Sequence, residues 1–471
     1  MADTQTVTIP YESLDPLTIG ASDDESKIYR DQLELEIPTS NLVGVVTPNE
    51  PAALSNVTEA AREMLENPHS GPRFSELIGP GKSVAIIIDN QFRPTPAAKI
   101  LPAVLDAIEA GGVTDARVIC ANAKVFHMSE SEIEQKIGAD SLARMERLGI
   151  SFHQNEPSDP ERYVFIGMSS RGTPVWLHKE VAKCDVSLSI GQTQSNHWGA
   201  GGGGKLIMPG VVADETIDFN HAAFTFSPKT HYGAMSGPLR ADIDEIATMC
   251  GLTATLNSVL DTHGRVCFMN FGRHPDAHIA AIRVFNDSYA FERPAGERPD
   301  IAICGVFAPT DHLFFHTGWG CMSADMVVKD GGTIIYCSPS PGVQTGLGFF
   351  PGLALMDTMK PYMPPSPENM EQIHRDNLAR KFTQLTFPIW APIYEVMTRK
   401  HLTLVTLEEN LEMARDIGID VTVSVSEAFD QAMARHGAGA KVLVLPFARY
   451  QFPSDAIRMP VEQEPLADAA D

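Results

Sequence analysis

Positive charge is scarce in this chain: 36 lysines and arginines stand against 60 aspartates and glutamates, for a net charge of −24. A general nucleic-acid surface needs a basic footprint, so that class is excluded, and an anionic ligand would need a local cationic site. No run approaches the roughly 18 apolar residues of a membrane span, so no membrane insertion is expected. Cysteine is sparse as well: seven, an odd number, with no C-x-x-C pair. Most lie in apolar strand-like stretches such as 118–120, which reads as buried reduced thiols in the cytoplasm and gives no cysteine-based zinc site. Met1 to Val7 lacks a basic region followed by an apolar one, so no secretory signal is expected. Internal repeats and low-complexity tracts are missing too.

What the chain does have is glycine in one place. Of the seven residues from Trp198's neighbour Gly199 to Gly204 and Lys205, five are glycine, one is Ala200 and the last is the lysine. So bare a backbone takes positive φ and approaches a ligand closely, at a cost in chain entropy. Gly199 to Lys205 satisfies the first seven places of the phosphate-binding pattern G-x-x-x-x-G-K. Leu206 then stands where a hydroxyl should meet magnesium, and Pro209-Gly210 arrive where a helix should run, so a nucleoside triphosphatase is rejected.

Apolar β-branched runs alternate with helical patterns, which predicts two α/β domains with largely parallel sheets wrapped by helices and an active site in the cleft between them. Strands are expected at 83–89, 116–122, 186–190, 301–306, 333–337, 402–406 and 441–446. Helices are expected at 97–110, from the Ser129/Glu132 capping box through Ile137, near 323–328, and at 407–416 and 426–436. Arg293 to Asp300 reads as a linker. The resulting division is 1–292, 300–445 and a tail of 446–471 that returns to the first domain. Strand 186–190 delivers the chain into the glycine loop, the usual place for function in open α/β sheets.

Several side chains carry chemistry in this pattern. Asp89 and Arg93, in a proline-stiffened turn after a strand, are either a structural ion pair or a rigid guanidinium aimed at a carboxylate or phosphate. His127 stands at a strand-to-helix junction, and His197 stands in the glycine loop beside Trp198, accessible for acid–base work. His221 is expected near the start or in the first turns of a helix, as a ligand or a packed core residue. No partner at i+4 completes a zinc pair. Eleven other histidines, His274 and His278 among them, show no interpretable spacing. The cluster Phe314 to Trp319 faces either the cleft or the core.

Together these pieces resemble the nickel-pincer-nucleotide-dependent lactate racemase family. The matching motifs occur in order: Asp89-x-x-x-Arg93-Pro-Thr-Pro96, Ser170-Arg-Gly-Thr-Pro-Val-Trp176, the glycine loop with Lys205-x-Ile-x-Pro209-Gly210, and Asn220-His221. The resemblance implies a nickel-pincer nucleotide, a pyridinium-3-thioamide-5-thiocarboxylic acid mononucleotide, joined to Lys205 through a thioamide. Nickel would be ligated by His221, a neutral imidazole suited to it. Asp89, Thr95, Gly202, Gly203, Gly204 and His316 would surround the cofactor.

The family chemistry passes hydride reversibly between the carbon of a 2-hydroxy acid and the cofactor, while two histidines serve the two hands. Here His127 and His197 would be that pair, Arg93 would orient the substrate carboxylate, and Trp198, Phe315 and Trp319 would line the pocket. The partners implied are a small hydroxy acid and the cofactor-biosynthesis proteins.

The chain departs from the family at three places. Where the family has Gly-Thr-His-Arg-Pro-Met, it reads Ala123-Lys-Val-Phe-His-Met128, which puts Val125 at the first histidine. His197 lies closer to Lys205 than the family spacing. Phe315-His316-x-x-Trp319 replaces a Tyr-Gln-x-x-Lys pattern and loses a cation. The expectation is therefore a racemase or epimerase with retained cofactor attachment and rebuilt substrate-facing groups. The alternatives are a pincer-dependent oxidoreductase or one-handed isomerase, and a non-catalytic nucleotide- or phosphate-binding protein.

Overall fold

The β-branched run Ser83–Asp89 forms strand β4, and all seven of its residues are buried. A strand buried on both faces needs cover on each side of its sheet. The structure, a computed structural model, describes residues 3–11, 32–125, 127–195, 199–224, 237–296, 298–305, 314–340, 358–379, 381, 386–416, 418–457 and 459, without the side chains of 223–224, 314–319 and 386–390. In it β4 is central to a six-stranded sheet. Its neighbours on one side are β5 (Asp115–Ala121) and β6 (Ser151–Gln154), and on the other β9 (Val186–Gln192), β10 (Ala254–Leu260) and β11 (Val266–Arg273). All pairs are parallel except β10–β11.

The alternation along β4 decides what covers each face. Val84, Ile86 and Ile88 pack with α1 (Val57–Glu66) and α2 (Ala97–Ala110), whose Ile100, Leu101, Val104, Leu105 and Ile108 recur at helical spacing. Ala85 and Ile87 face the other way, onto the residues that follow the glycine loop, Leu206 to Val212. Truncating a core position such as Ile86 to alanine should cost about 2–5 kcal/mol. The expected capping box is present: Ser129 Oγ accepts from the Glu132 amide and Glu132 accepts from the Ser129 amide, opening α3 (Glu130–Ile137).

A second six-stranded sheet is wholly parallel, in the order β16 (Asp420–Thr422), β15 (His401–Val405), β14 (Thr333–Cys337), β13 (Ile301–Gly305), β17 (Val442–Leu445), β3 (Leu42–Val45). Three smaller pairs complete the strands: β1 (Thr4–Pro10) with β2 (Gln32–Pro38), β7 (Tyr163–Met168) with β8 (Pro174–His178), and β12 (Ala290–Phe291) with β18 (Phe452–Pro453). The α/β reading therefore holds, with helices against both large sheets.

The chain crosses the line expected at 292–300 several times. Val7, Ile9, Leu35 and Ile37 share a core with Ile301, Ile303 and Val444 of the second sheet. In the other direction, Met359, Tyr362, Ile373, Ala391 and Tyr394 join the core beside Leu206 and Ile207.

Two local expectations are corrected. The helix expected near 323–328 spans Phe314–Asp325, with a turn following it. A Cβ on Gly320 would lie 2.5 Å from the Tyr336 ring, so that glycine permits close packing of the helix on β14. His221, expected near a helix start, falls in the last turn of α5 (Asp214–Phe224), because that helix begins directly after the strand-like Val211-Val212.

Candidate functional site

Chain order and strand order disagree at one point in each large sheet. In the first, β4, β5 and β6 step one way and β9 returns to the other side of β4. In the second, β13 to β16 step one way and β17 returns to the other side of β13. Loops leaving the carboxyl ends of strands at such points diverge and leave a crevice, where ligands bind in open α/β sheets. The two points meet. At the carboxyl end of β9, Gln192 Nε2 donates to Tyr450 Oη at 3.3 Å, and just beyond it Gln194 Oε1 accepts from Arg449 Nη2 at 3.2 Å. Both partners lie in the segment after β17, so the returning tail joins the two loop systems. Tyr450 packs edge-to-face on Phe285 and at a tilt against Tyr289 of α7 (Asp276–Tyr289).

The glycine loop leaves β9 here. Gly202 has φ +81°, and a Cβ on it would lie 2.7 Å from the Gln192 carbonyl oxygen. Gly203, at φ +55°, would bring its Cβ to 2.5 Å from the His278 ring. Both glycines are thus demanded by how the loop sits on the protein itself. A short 3₁₀ turn, Gly203–Leu206, carries Lys205, and no long helix follows; Leu206 is buried in the core. That geometry agrees with rejecting a triphosphatase loop. Lys205 Nζ donates to the Gly199 carbonyl at 3.1 Å. Burial pushes its pKa well down, and the charges of Arg240 and Arg93 push it further, against a smaller pull from Asp244. The amine is therefore biased toward its neutral, nucleophilic form.

The Asp89–Pro96 turn is braced from below. Buried Lys136 of α3 reaches Asp89 Oδ1 at 2.6 Å and the carbonyls of Arg93 and Thr95 at 2.9 and 3.3 Å. Thr95 Oγ1 donates to Asp89 and accepts from the Gln192 amide at 2.9 Å. Asp89 and Thr95 thus lock the two loops of the switch point together, and the carboxylate's close partner is Lys136. Arg93 is half-buried; burial lowers its pKa while Asp89 and Tyr450 favour its charge.

Helix α6 (Pro238–Met249) bolts the remaining motifs in place. Asp242, fully buried, accepts from Ser169 Oγ at 2.5 Å, Thr173 Oγ1 at 2.7 Å and Asn220 Nδ2 at 2.8 Å. Arg171 Nη1 and Ser170 Oγ reach Glu245 at 2.9 and 2.6 Å. Asn220 is therefore the anchor that fixes the last turn of α5 and presents His221. Burial is the leading cause that pushes the His221 pKa down to about 3. Its imidazole is neutral at physiological pH, as a metal ligand must be.

The loop after β5 bears on a question of register. Ala123 has φ +51°, a left-handed conformation that favours glycine, and ungapped alignment puts the family glycine there. This turn is compatible with the expected register, in which Val125 would stand at the first histidine's place. His127 engages its own surroundings: its Nε2 lies 2.9 Å from the Asn155 carbonyl and 3.2 Å from Glu156. The side chain that does reach α5 is Lys124, 2.6 Å from Asp218 and 3.3 Å from Asp214.

Arg93, Arg240 and His221 are thus each within electrostatic reach of Lys205, while the contacts of His127 are with Asn155 and Glu156. His197 and Trp198 fall outside the described residues. Phe315, His316 and Trp319 lie on the helix Phe314–Asp325, and their side chains are outside the description. Sequence reasoning missed Arg240, Asp244, His274 and His278, which surround the glycine loop. Their only local signal was the i, i+4 spacing of Arg240 with Asp244 and of His274 with His278.

Fold and site together define a two-sheet α/β protein with a buried lysine loop at facing switch points. Residues 29–233 match the lactate racemase N-terminal domain family. The lactate racemase of Lactiplantibacillus plantarum is 27% identical over 395 residues, covering 82% of this chain and 89% of the relative. That of Thermoanaerobacterium thermosaccharolyticum is 22% identical over 428 residues, covering 88% and 96%. Among solved structures, the lactate racemase apoprotein of the latter organism superposes with a TM-score of 0.81 at 20% identity, covering 95% of this chain and all of that one. A Thermotoga maritima protein superposes at 0.61 and 15% identity, covering 86% and 99%. The chain is thus similar to lactate racemases over most of its length and shares the fold of the solved apoprotein.

Proposed function

We propose that the chain is an isomerase that racemises or epimerises a 2-hydroxy acid or related hydroxy compound, using a nickel-pincer nucleotide attached to Lys205. The observation that carries this reading is the pairing of a half-buried lysine and a buried histidine, both biased to their neutral forms, with Arg93 in electrostatic reach. An amine must be neutral to form a thioamide, and an imidazole must be neutral to ligate nickel. Among the described residues no group of three or more His, Cys, Asp or Glu is placed to hold a metal ion. A metal here would thus take its other ligands from the cofactor, and the residues fit such a group. When bound, the cofactor supplies a reversible hydride acceptor.

The chain's own residues then have distinct tasks. Lys205 anchors, His221 ligates, and Arg93 orients a carboxylate through its guanidinium fork. His127 and His197 are the proposed acid–base pair. The contacts of His127 favour a second reading, a one-handed isomerase or oxidoreductase: with Val125 in the first histidine's place and His127 turned to Asn155, one face of the substrate lacks its base. Each stereopure 2-hydroxy acid, incubated with loaded enzyme in deuterated buffer, separates the two. Interconversion of both hands supports the racemase; accumulation of keto product, or conversion of one hand only, supports the second reading. The free and mostly buried cysteines support a reducing compartment, the cytoplasm. Loading would require the cofactor-biosynthesis proteins as partners. No helix among the described residues is long and apolar enough to cross a membrane.

A further inference from the structure

The loop that carries Lys205 is gripped from α6 and α7 by side chains that no part of the proposed chemistry uses. Arg240, 2% exposed, donates from Nη1 to the Ala200 carbonyl at 2.6 Å and from Nη2 to His278 Nδ1 at 3.2 Å. His278, fully buried, contacts the next carbonyl, Gly201 O, through Nε2 at 2.8 Å. Arginine has no acceptor, so Nδ1 of His278 must accept, and the ring is the Nε2–H tautomer that donates to Gly201. Burial and the Arg240 charge hold that ring neutral, with a pKa of about 3. Asp244 closes the network: it takes Arg240 Nε at 2.9 Å and lies 3.4 Å from His274 Nε2. Two consecutive carbonyls immediately before the Gly202–Lys205 turn are therefore fixed, and the His278 and His274 rings fill the space that side chains at 203 and 204 would need.

We infer that Arg240 and His278 are positioning residues that hold the lysine loop, before the nucleotide arrives, in the geometry required for the Lys205 amine to condense with the nucleotide's thiocarboxylic acid carbon, forming the thioamide C–N bond as the C–O bond breaks and water leaves. This rests on the reading of Lys205 as the attachment point. The physical reason is that a glycine-rich loop left to itself samples many conformations, and ordering it at the moment of attachment would slow that step. Two fixed carbonyls remove most of that freedom in advance. A network that served stability alone would not need its two donors on adjacent carbonyls of the one loop bearing the lysine.

The test uses His278→Gln, which keeps an amide N–H near the Nε2 position, and His278→Leu, which removes it. Arg240→Lys serves as a second site. Cofactor-free full-length protein is followed by amide hydrogen exchange over 199–205, and the mass increment on Lys205 is timed during loading with the biosynthesis proteins. The expected result is slow exchange at Gly201 and Lys205 in the wild type, with attachment at least about 10-fold slower in His278→Leu. His278→Gln should stay within about 3-fold of wild type while the two variants share the same Tm.

The inference is overturned if His278→Leu loads like wild type, or if both variants lose attachment in proportion to lost Tm. Exchange of the wild-type loop at the rate of an unstructured peptide also overturns it, even if His278→Leu fails to fold. A wild-type Lys205 that never gains mass refutes the attachment reading instead, and the exchange data then judge the clamp alone.

Discussion

Lowering the pH from 7 to 5 should remove about 6 kcal/mol of folding stability from the cofactor-free protein. Three imidazoles are buried in their neutral forms, His178 with a pKa of about 4 and His221 and His278 with about 3 each, against 6.5 for an exposed histidine. Burial is the leading cause in all three. Between pH 6.5 and these lowered values the unfolded chain binds protons that the folded chain refuses, so stability is complete above about 6.5 and falls as the pH drops. At pH 5 each group sits about 1.5 pH units below its unfolded pKa, or about 2 kcal/mol. Carboxylates such as Asp244, held low by Arg240 and His274 despite burial, titrate only in stronger acid and do not offset the loss. A domain's whole stability is about 5–15 kcal/mol, so this is a large fraction of it. Urea titrations followed by circular dichroism at pH 7 and 5 measure the difference directly. His221→Gln should reduce it to about 4 kcal/mol. A wild-type loss under about 2 kcal/mol, or an unchanged loss in the variant, would refute the reasoning.

Other consequences concern single residues. Lys205→Met should raise the Tm of the cofactor-free protein at neutral pH, because the wild-type fold buries an amine that water would protonate; wild-type stability should also rise as the pH approaches 10.5, and the variant's should not. Asn220→Ala removes a 2.8 Å bond to buried Asp242 and should cost about 1–3 kcal/mol in urea unfolding. Arg93→Met should lower kcat/KM for a hydroxy-acid substrate by about 10-fold or more, with a smaller effect on a substrate lacking the carboxylate; equal effects on both would remove its orienting role.

The sequence revealed the elements whose causes are local. Ser83–Asp89 and Ile301–Gly305 are legible because a buried parallel strand needs an unbroken apolar, β-branched run. The α3 helix is legible because its capping box is written in four consecutive residues. The glycine pattern marked Lys205 as a site, but the roles of Lys205 and His221 came from motif resemblance. What stayed hidden depends on distant segments. Strand β3 pairs with a strand 400 residues later, and nothing within Leu42–Val45 announces that. His278 looked chemically empty because its partners, Gly201 and Arg240, lie 77 and 38 residues away. The glycine loop itself changed meaning. Its bareness at 202 and 203 is consumed by contact with Gln192 and His278, not only held open for a ligand.

The central claim, that Lys205 carries a nickel-bearing nucleotide and His221 holds the metal, is tested most directly by intact-mass analysis with metal quantitation after loading by the cofactor-biosynthesis proteins. The account predicts one stable mass increment, localised to the Lys205 peptide, with about one nickel per chain. His221→Ala should keep the increment and lose most of the metal, because anchoring and ligation rest on different residues. An unmodified Lys205 in the wild type, or full nickel occupancy without His221, would contradict it.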